Sequence, residues 1–174
     1  MASEFTTTIK LDPFYQRFLC FNFRQENGFP QEIGKPFEFP ARDDFSTWVG
    51  FSVTRCPKDY QPPKYGLYEF RIKIPYLEHK NPEYYNFLSE KRQRIFKRLV
   101  HDYMAMLFHD ELKKAIDKFK YNRIEAIDHL QEEFGFTPDD YDRLLKEYQR
   151  WMKKRQMQRY RNKKRADRVK CVIE

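Results

Sequence analysis

The sequence predicts an α+β protein with a small antiparallel sheet and short helices in its N-terminal half, and a helical C-terminal half with a basic tail. Three observations predict it. Apolar and polar residues alternate in two N-terminal segments, apolar residues recur at helical spacing after residue 80, and Lys and Arg concentrate after residue 150. The expected regions are a mixed, aromatic-rich part, a three-helix part and the tail, at residues 1–80, 81–150 and 151–174.

Two strands are expected in the first region. Phe5–Leu11 alternates between apolar and polar residues, and so does Leu67–Tyr76, where one face is apolar and the other charged. The apolar face of the second strand would carry Tyr68, Phe70, Ile72 and Ile74. The loop between residues 28 and 43, rich in Gly and Pro, leaves room for a short edge strand at Phe37–Phe39.

Two short helices are expected beside these strands. Asp12 suits an N-cap and Pro13 suits the first helical position, so a helix should follow and turn Phe14 and Phe18 toward a core. Asp44 should cap a second helix that buries Phe45, Trp48 and Val49, although Gly50 and the β-branched residues also permit a strand.

A long helix is expected to begin after Asn81, which can cap it, with Pro82 at the first helical position, and to run toward Phe119 with a break near Ser89. Its predicted apolar stripe consists of Leu88, Ile95, Leu99, Tyr103, Met106 and Leu107, continued by Leu112, Ile116 and Phe119.

Two more helices are expected around a turn at Gly135. The first covers Arg123–Phe134, with Ile124, Ile127, Leu130 and Phe134 facing inward, and Gly135 suits the left-handed cap that ends it. The next begins at the N-cap Thr137, with Pro138 at the first helical position and Asp140 at the capping-box position, and its apolar stripe is Tyr141, Leu144, Leu145 and Tyr148.

This turn resembles a helix-turn-helix over about twenty residues, with Leu130, Phe134, Phe136, Tyr141 and Leu144 at the inward positions. Gln131 stands where that motif holds a small residue, and Asp139, Asp140 and Asp142 open the helix that would read bases. The segment is therefore either a groove-reading unit or a plain helical corner. Base contacts, if present, would come from Arg143, Lys146 and Gln149.

The distribution of charge predicts a polyanion partner. Residues 150–170 contain eleven Lys or Arg and one acid, Asp167, a balance of +10, whereas the whole chain carries +8 and its remainder therefore −2. The candidate nucleic-acid contacts here are Arg150, Lys153, Lys154, Arg155, Arg159, Arg161, Lys163, Lys164 and Arg165. A solvated tail that only aids solubility is the alternative. Trp151 and Tyr160 either stack on bases or, for Trp151, complete the apolar stripe.

A second basic cluster lies on the long helix and consists of Lys91, Arg92, Arg94, Lys97 and Arg98. It would either add phosphate contacts or form an ordinary solvated helix face.

Enzymatic activity is not expected. The sequence has no phosphate-binding GxxxxGK or GxGxxG loop and no GxSxG. A metal-dependent nuclease stays open as an alternative, because His101, Asp102, His109, Asp110 and Glu111 lie on one helix. Cofactors and bound metals are not expected. Cys20, Cys56 and Cys171 form no CxxC, and with no signal-peptide or membrane-spanning run the chain is expected in the cytoplasm of a bacterial host.

The order TTTIKLDPFYQRF, FRIKIPYLEHKNPEYYNFLSEKRQRIF, FGFTPDDYDRLLKEYQRW and basic tail resembles uncharacterised small proteins of phages and mobile elements of gut bacteria, over most of the chain. The strand and helix at the N-terminus also resemble the start of ribbon-helix-helix proteins. The expected function is a non-enzymatic, regulatory or replication-accessory protein that binds nucleic acid, with DNA favoured and RNA open. An assembly protein whose aromatic surfaces bind a protein partner or a second copy is the main alternative.

Overall fold

The computed structural model describes residues 5–24, 28–41, 43–60 and 64–170, with side chains described through residue 164. Strands in the N-terminal half and helices in the C-terminal half confirm the α+β class. The chain forms two compact units, Met1–Met104 and Ala105–Glu174. Their boundary falls inside a helix, whereas the sequence changes character near residue 80. Cys171 lies outside the described residues.

The first unit contains two antiparallel strand pairs and short helices. Thr6–Lys10 (β1) pairs with Glu69–Lys73 (β3), and Thr54–Arg55 (β2) pairs with Tyr85–Phe87 (β4). The helices of this unit are Pro13–Asn22 (α1), Asp44–Ser52 (α2) and the first part of Glu90–Lys113 (α3). Both predicted strands are therefore present, but Phe37 forms only an isolated parallel bridge to Ile72 rather than an edge strand.

Local side-chain caps start both short helices. The Asp12 carboxylate accepts a hydrogen bond from the Phe14 N–H at 3.0 Å, which confirms the predicted cap of α1. The prediction that Asp44 caps α2 was wrong by one residue. Asp43 accepts from the Phe45 N–H at 2.8 Å instead, and Asp44 lies in the first turn, where a carboxylate also favours the helix.

Aromatic side chains fill the core of the first unit. Phe39 stacks on Phe45 with ring centroids 5.2 Å apart, and Phe23 meets Phe39 edge-on at the same centroid separation of 5.2 Å. Phe96 and Tyr103 bring α3 into this cluster, at 6.0 Å and 5.5 Å from the Phe45 ring. Much of the aromatic content of the sequence therefore stabilises the fold by burial and edge-to-face packing.

The long helix starts later than the sequence indicates. The Asn81 carboxamide oxygen accepts from the Glu83 N–H at 2.9 Å, so Asn81 closes a local turn rather than capping a helix. The following Tyr85–Phe87 pairs with β2, and α3 begins only at Glu90. The prediction of a helix from Pro82 was wrong because an Asn-Pro-Glu sequence suits this turn as well as a helix start.

The predicted apolar stripe of α3 was also wrong in part. Ile95, Leu99 and Met106 are 42%, 36% and 53% exposed. Leu88 and Leu112 are buried as predicted, whereas the other buried positions, Phe96, Val100, Met104 and Phe108, lie on the face next to the predicted stripe. Two adjacent stripes on this helix are apolar, and only the tertiary neighbours decide which of them is buried.

The second unit is helical. The end of α3 continues into a π-helical segment, Lys114–Lys118, and is followed by Arg123–Phe134 (α4), a 3₁₀ turn at Pro138–Asp140 and Tyr141–Lys170 (α5). Its buried apolar side chains are Phe108, Leu112, Ala115, Ala126, Ile127, Leu130, Phe134, Phe136, Leu144 and Trp151. Ile124 and Phe119, predicted to face inward, are 55% and 44% exposed, whereas the nearby Ala126 and Ala115 are fully buried.

The corner between α4 and α5 follows the predicted caps. Gly135 adopts the left-handed conformation at φ 65° and ψ 33°, which favours glycine because it has no Cβ. The carboxylate of Asp140, 3% exposed, accepts from the Thr137 N–H at 3.2 Å and completes the capping box.

Candidate nucleic-acid interface

The helix α5 has two parts with different surroundings. In the first part, Leu144 is fully buried and Trp151 is 8% exposed, so Trp151 completes the apolar stripe as one of its two interpretations predicted. Beyond Trp151 the helix continues, and from Lys153 to Lys164 all side chains except the half-buried Arg155 are exposed. We call Lys153–Lys164 the basic extension. The predicted tail is thus helical up to Lys170.

The basic extension contains cations and no acidic residue. Its exposed cations are Lys153, Lys154, Arg159, Arg161, Lys163 and Lys164. Like charges four residues apart, such as Arg159 and Lys163, repel and destabilise a helix, and no carboxylate within the extension offsets this. The side chain of Arg165, the last predicted contact, lies outside the described side chains.

Arg155 is engaged within the second unit at the start of the basic extension. Its Nη2 donates to the Asp117 carboxylate on the π-helical segment, and its guanidinium lies over the Trp151 ring at 5.1 Å from the centroid. The hydrogen bond from Arg155 lowers the pKa of Asp117. Arg150 likewise donates to Glu147 on the preceding turn. Both residues were predicted to contact nucleic acid, and the structure gives each of them an intramolecular partner.

A cleft of about 390 Å³ lies beside this ion pair. Its lining residues carry both signs of charge and are His109, Asp110, Lys113, Asp117, Trp151, Lys154, Arg155 and Gln158. Burial and the nearby Lys154 ammonium lower the pKa of His109, while Glu147 and Asp110 oppose the shift. The neutral imidazole is therefore favoured, and the cationic wall of the cleft belongs mainly to α5. No pattern in the sequence indicated a role for Asp117 or a π-helical segment at this position.

The basic cluster on α3 belongs to the first unit and is only partly exposed. Lys91, Arg94 and Arg98 are exposed, and Arg98 Nε lies 3.7 Å from the Asp102 carboxylate. Arg92 donates to the Ser52 carbonyl, which ends α2. Lys97 is half-buried, and burial together with Lys10 lowers its pKa. Three of the five predicted side chains therefore form the exposed face of this cluster.

The proposed base-reading side chains of the corner, Arg143, Lys146 and Gln149, are exposed on the first part of α5. Asp140 is used by the capping box, while Asp139 and Asp142 are exposed beside it. This arrangement fits a plain corner and a groove-reading unit alike, and both interpretations stay predictions.

The histidines of the nuclease alternative have separate local partners. His101 Nδ1 lies 3.2 Å from the Asp102 carboxylate in the first unit, and His109 lies in the cleft of the second. His129, for which the sequence suggested no partner, places Nε2 3.5 Å from Glu111 Oε2. Among the residues that the structure describes, no group of three or more His, Cys, Asp or Glu is placed to hold a metal ion.

No family model, curated protein or solved structure matches the chain. Within the described residues, every helix is too short or too polar to cross a membrane.

Proposed function

We propose that this protein binds nucleic acid, with duplex DNA as the preferred form, through the basic extension of α5. One observation carries the proposal: a helical segment that leaves the packed part of the second unit exposes six cations and contains no acid. The proposed role is accessory, in regulation or replication, and needs no catalytic group.

The physical basis is the release of counterions from the phosphate backbone. Each Lys or Arg that neutralises a phosphate releases bound cations, so the logarithm of the affinity falls linearly with the logarithm of the salt concentration. Six contacts predict a slope of about −5 on duplex DNA. The exposed cluster of Lys91, Arg94 and Arg98 could add contacts from the first unit, which would make the slope steeper.

Fluorescence anisotropy across a salt series tests the proposal with duplex DNA, single-stranded DNA and duplex RNA. The test variant replaces the six exposed cations of the basic extension by Gln, and a comparison variant replaces Lys91, Arg94 and Arg98 by Gln to measure any contacts that the first unit adds. We expect the first variant to lose about a thousandfold in affinity at low salt and most of the slope. Unchanged binding by the six-residue variant would show that the basic extension is not the interface.

A second candidate function is assembly with a protein partner through the first unit. Large apolar side chains are exposed there, among them Leu67 at 84%, Tyr76 at 75% and Phe29 at 68%. Exposed apolar residues of this size are typical of interaction surfaces when they are contiguous. Analytical ultracentrifugation distinguishes the two functions, since a stable oligomer without affinity for any nucleic acid would favour assembly.

A further inference from the structure

Two polar side chains occupy one stripe of the basic extension. Gln156 and Tyr160 are four residues apart on a continuous helix, so they project from the same face. Both are exposed, and Tyr160 is 68% exposed. Because both side chains are exposed, packing of the second unit does not account for a Gln and a Tyr at these positions. Both are also neutral, so they add nothing to the charge of the extension.

Cations lie on both sides of this stripe. At about 100° per residue, Arg159 and Lys163 lie roughly 40–80° to one side of the midpoint between Gln156 and Tyr160, and Lys153 and Lys164 lie roughly 40–60° to the other. All four cations are exposed. The face therefore has a neutral hydrogen-bonding centre and two positively charged edges.

We propose that the basic extension lies in the major groove of B-form DNA, with Gln156 and Tyr160 facing the base edges. This inference rests on the proposed function. The groove is about 12 Å wide and admits an α-helix, and its two walls are phosphate backbones that the flanking cations would contact. The narrow major groove of an RNA duplex does not admit a helix, so this docking selects DNA.

The two central side chains have matching chemistry. A Gln carboxamide can donate to adenine N7 and accept from adenine N6, while a Tyr hydroxyl donates or accepts and its ring can contact a thymine methyl group. Trp151 is 8% exposed and packs into the second unit, so it is not available to a base. The extension is exposed around nearly its whole circumference, which a helix must be to enter a groove.

Selection of bound duplexes from a random-sequence DNA pool tests the inference, using the full chain. The variants are Gln156→Ala and Tyr160→Ala, and the matched control is Gln158→Ala, which removes an exposed Gln from the opposite side of the same helix. We expect the unmodified protein and the control to select the same short motif. Gln156→Ala should lower the preference at one base pair by about tenfold while leaving affinity for the unselected pool within about twofold.

The outcomes separate this inference from the proposed function. Binding of the pool without selection of a motif, or an identical motif with Gln156→Ala and Tyr160→Ala, would overturn the groove docking and leave DNA binding in place. Preference for duplex RNA would overturn the docking as well. Absence of binding to any nucleic acid would remove the proposed function itself. Circular dichroism of each variant checks that α5 keeps its helical content.

Discussion

The two parts of α5 are one continuous helix held by different forces. From Tyr141 to Trp151 an apolar stripe packs into the second unit, and burial of this stripe stabilises the helix. In the basic extension no comparable stripe is buried, and the charges repel one another. This repulsion is a departure from local consistency, and such departures are typical of functional sites.

The largest expected difference between the two parts is in stability. Leu144→Ala removes a fully buried side chain and should lower the free energy of unfolding by about 2–5 kcal/mol. Met157→Ala removes a side chain that is 50% exposed in the basic extension, and should change it by less than about 0.5 kcal/mol. Urea denaturation of both variants measures the contrast. Equal losses would show that the extension is packed like the rest of the helix.

A proline near the end of the basic extension tests whether DNA affinity depends on the helix there independently of the stability of the second unit. Asn162→Pro removes a backbone donor and clashes with the preceding turn, so the end of the basic extension should leave the helix. We expect affinity for duplex DNA to fall by about tenfold, with no change in the unfolding midpoint of the second unit. Asn162→Ala is the control, and it should keep both properties. A large drop in the midpoint would mean that the two parts of α5 unfold together.

Where the packed part of α5 meets the basic extension, Arg155 should contribute to stability and Arg159 to DNA binding. Arg155→Gln removes the Asp117 contact and uncovers the Trp151 ring, so it should lower the thermal midpoint by a few degrees. Arg159→Gln lies one turn further along and should leave the midpoint unchanged while weakening DNA binding by about threefold. Differential scanning calorimetry and anisotropy measure the two effects. A lower midpoint for Arg159→Gln, with unchanged DNA binding, would show that Arg159 also belongs to the packed part of α5.

The smallest expected effect concerns His109. Burial and Lys154 lower its pKa in the folded protein below the ordinary 6.5, so the unfolded chain binds this proton more readily. The contribution of His109 to stability is therefore full above pH 6.5 and declines as the pH falls below that value. His109→Gln should flatten this part of the pH profile in thermal melts. Lys154→Gln should flatten it partly, and an unchanged profile in both would contradict the assignment.

Local chemistry accounts for the features that the sequence predicted well. The caps at Asp12 and Gly135 involve residues within a few positions of one another, so α1 begins, and α4 ends, where the sequence indicates. The amphipathic stripe from Leu144 to Trp151 also follows from helical spacing alone.

Tertiary contacts account for what the sequence did not predict. The strand Tyr85–Phe87 exists because β2 pairs with it, and α3 buries Phe96 rather than Ile95 because the aromatic cluster of the first unit lies on that side. At the candidate interface, the sequence pattern did not distinguish exposed cations from cations that have partners within the protein. Only the structure distinguishes Arg155, which pairs with Asp117, and Arg92, which caps α2, from the exposed side chains.

The length of the basic extension has a consequence for how the protein would find a target. At about 1.5 Å per residue, Lys153–Lys164 spans about 18 Å, which corresponds to roughly five base pairs of duplex. A sequence of five base pairs, the most that this length can cover, already recurs about once per thousand positions, while a genome offers about 10⁶–10⁹ competing sites. Recognition of a single site in a genome would therefore require a second segment that contacts bases. Two copies on adjacent half-sites would supply one, and they would double the length of DNA that is read.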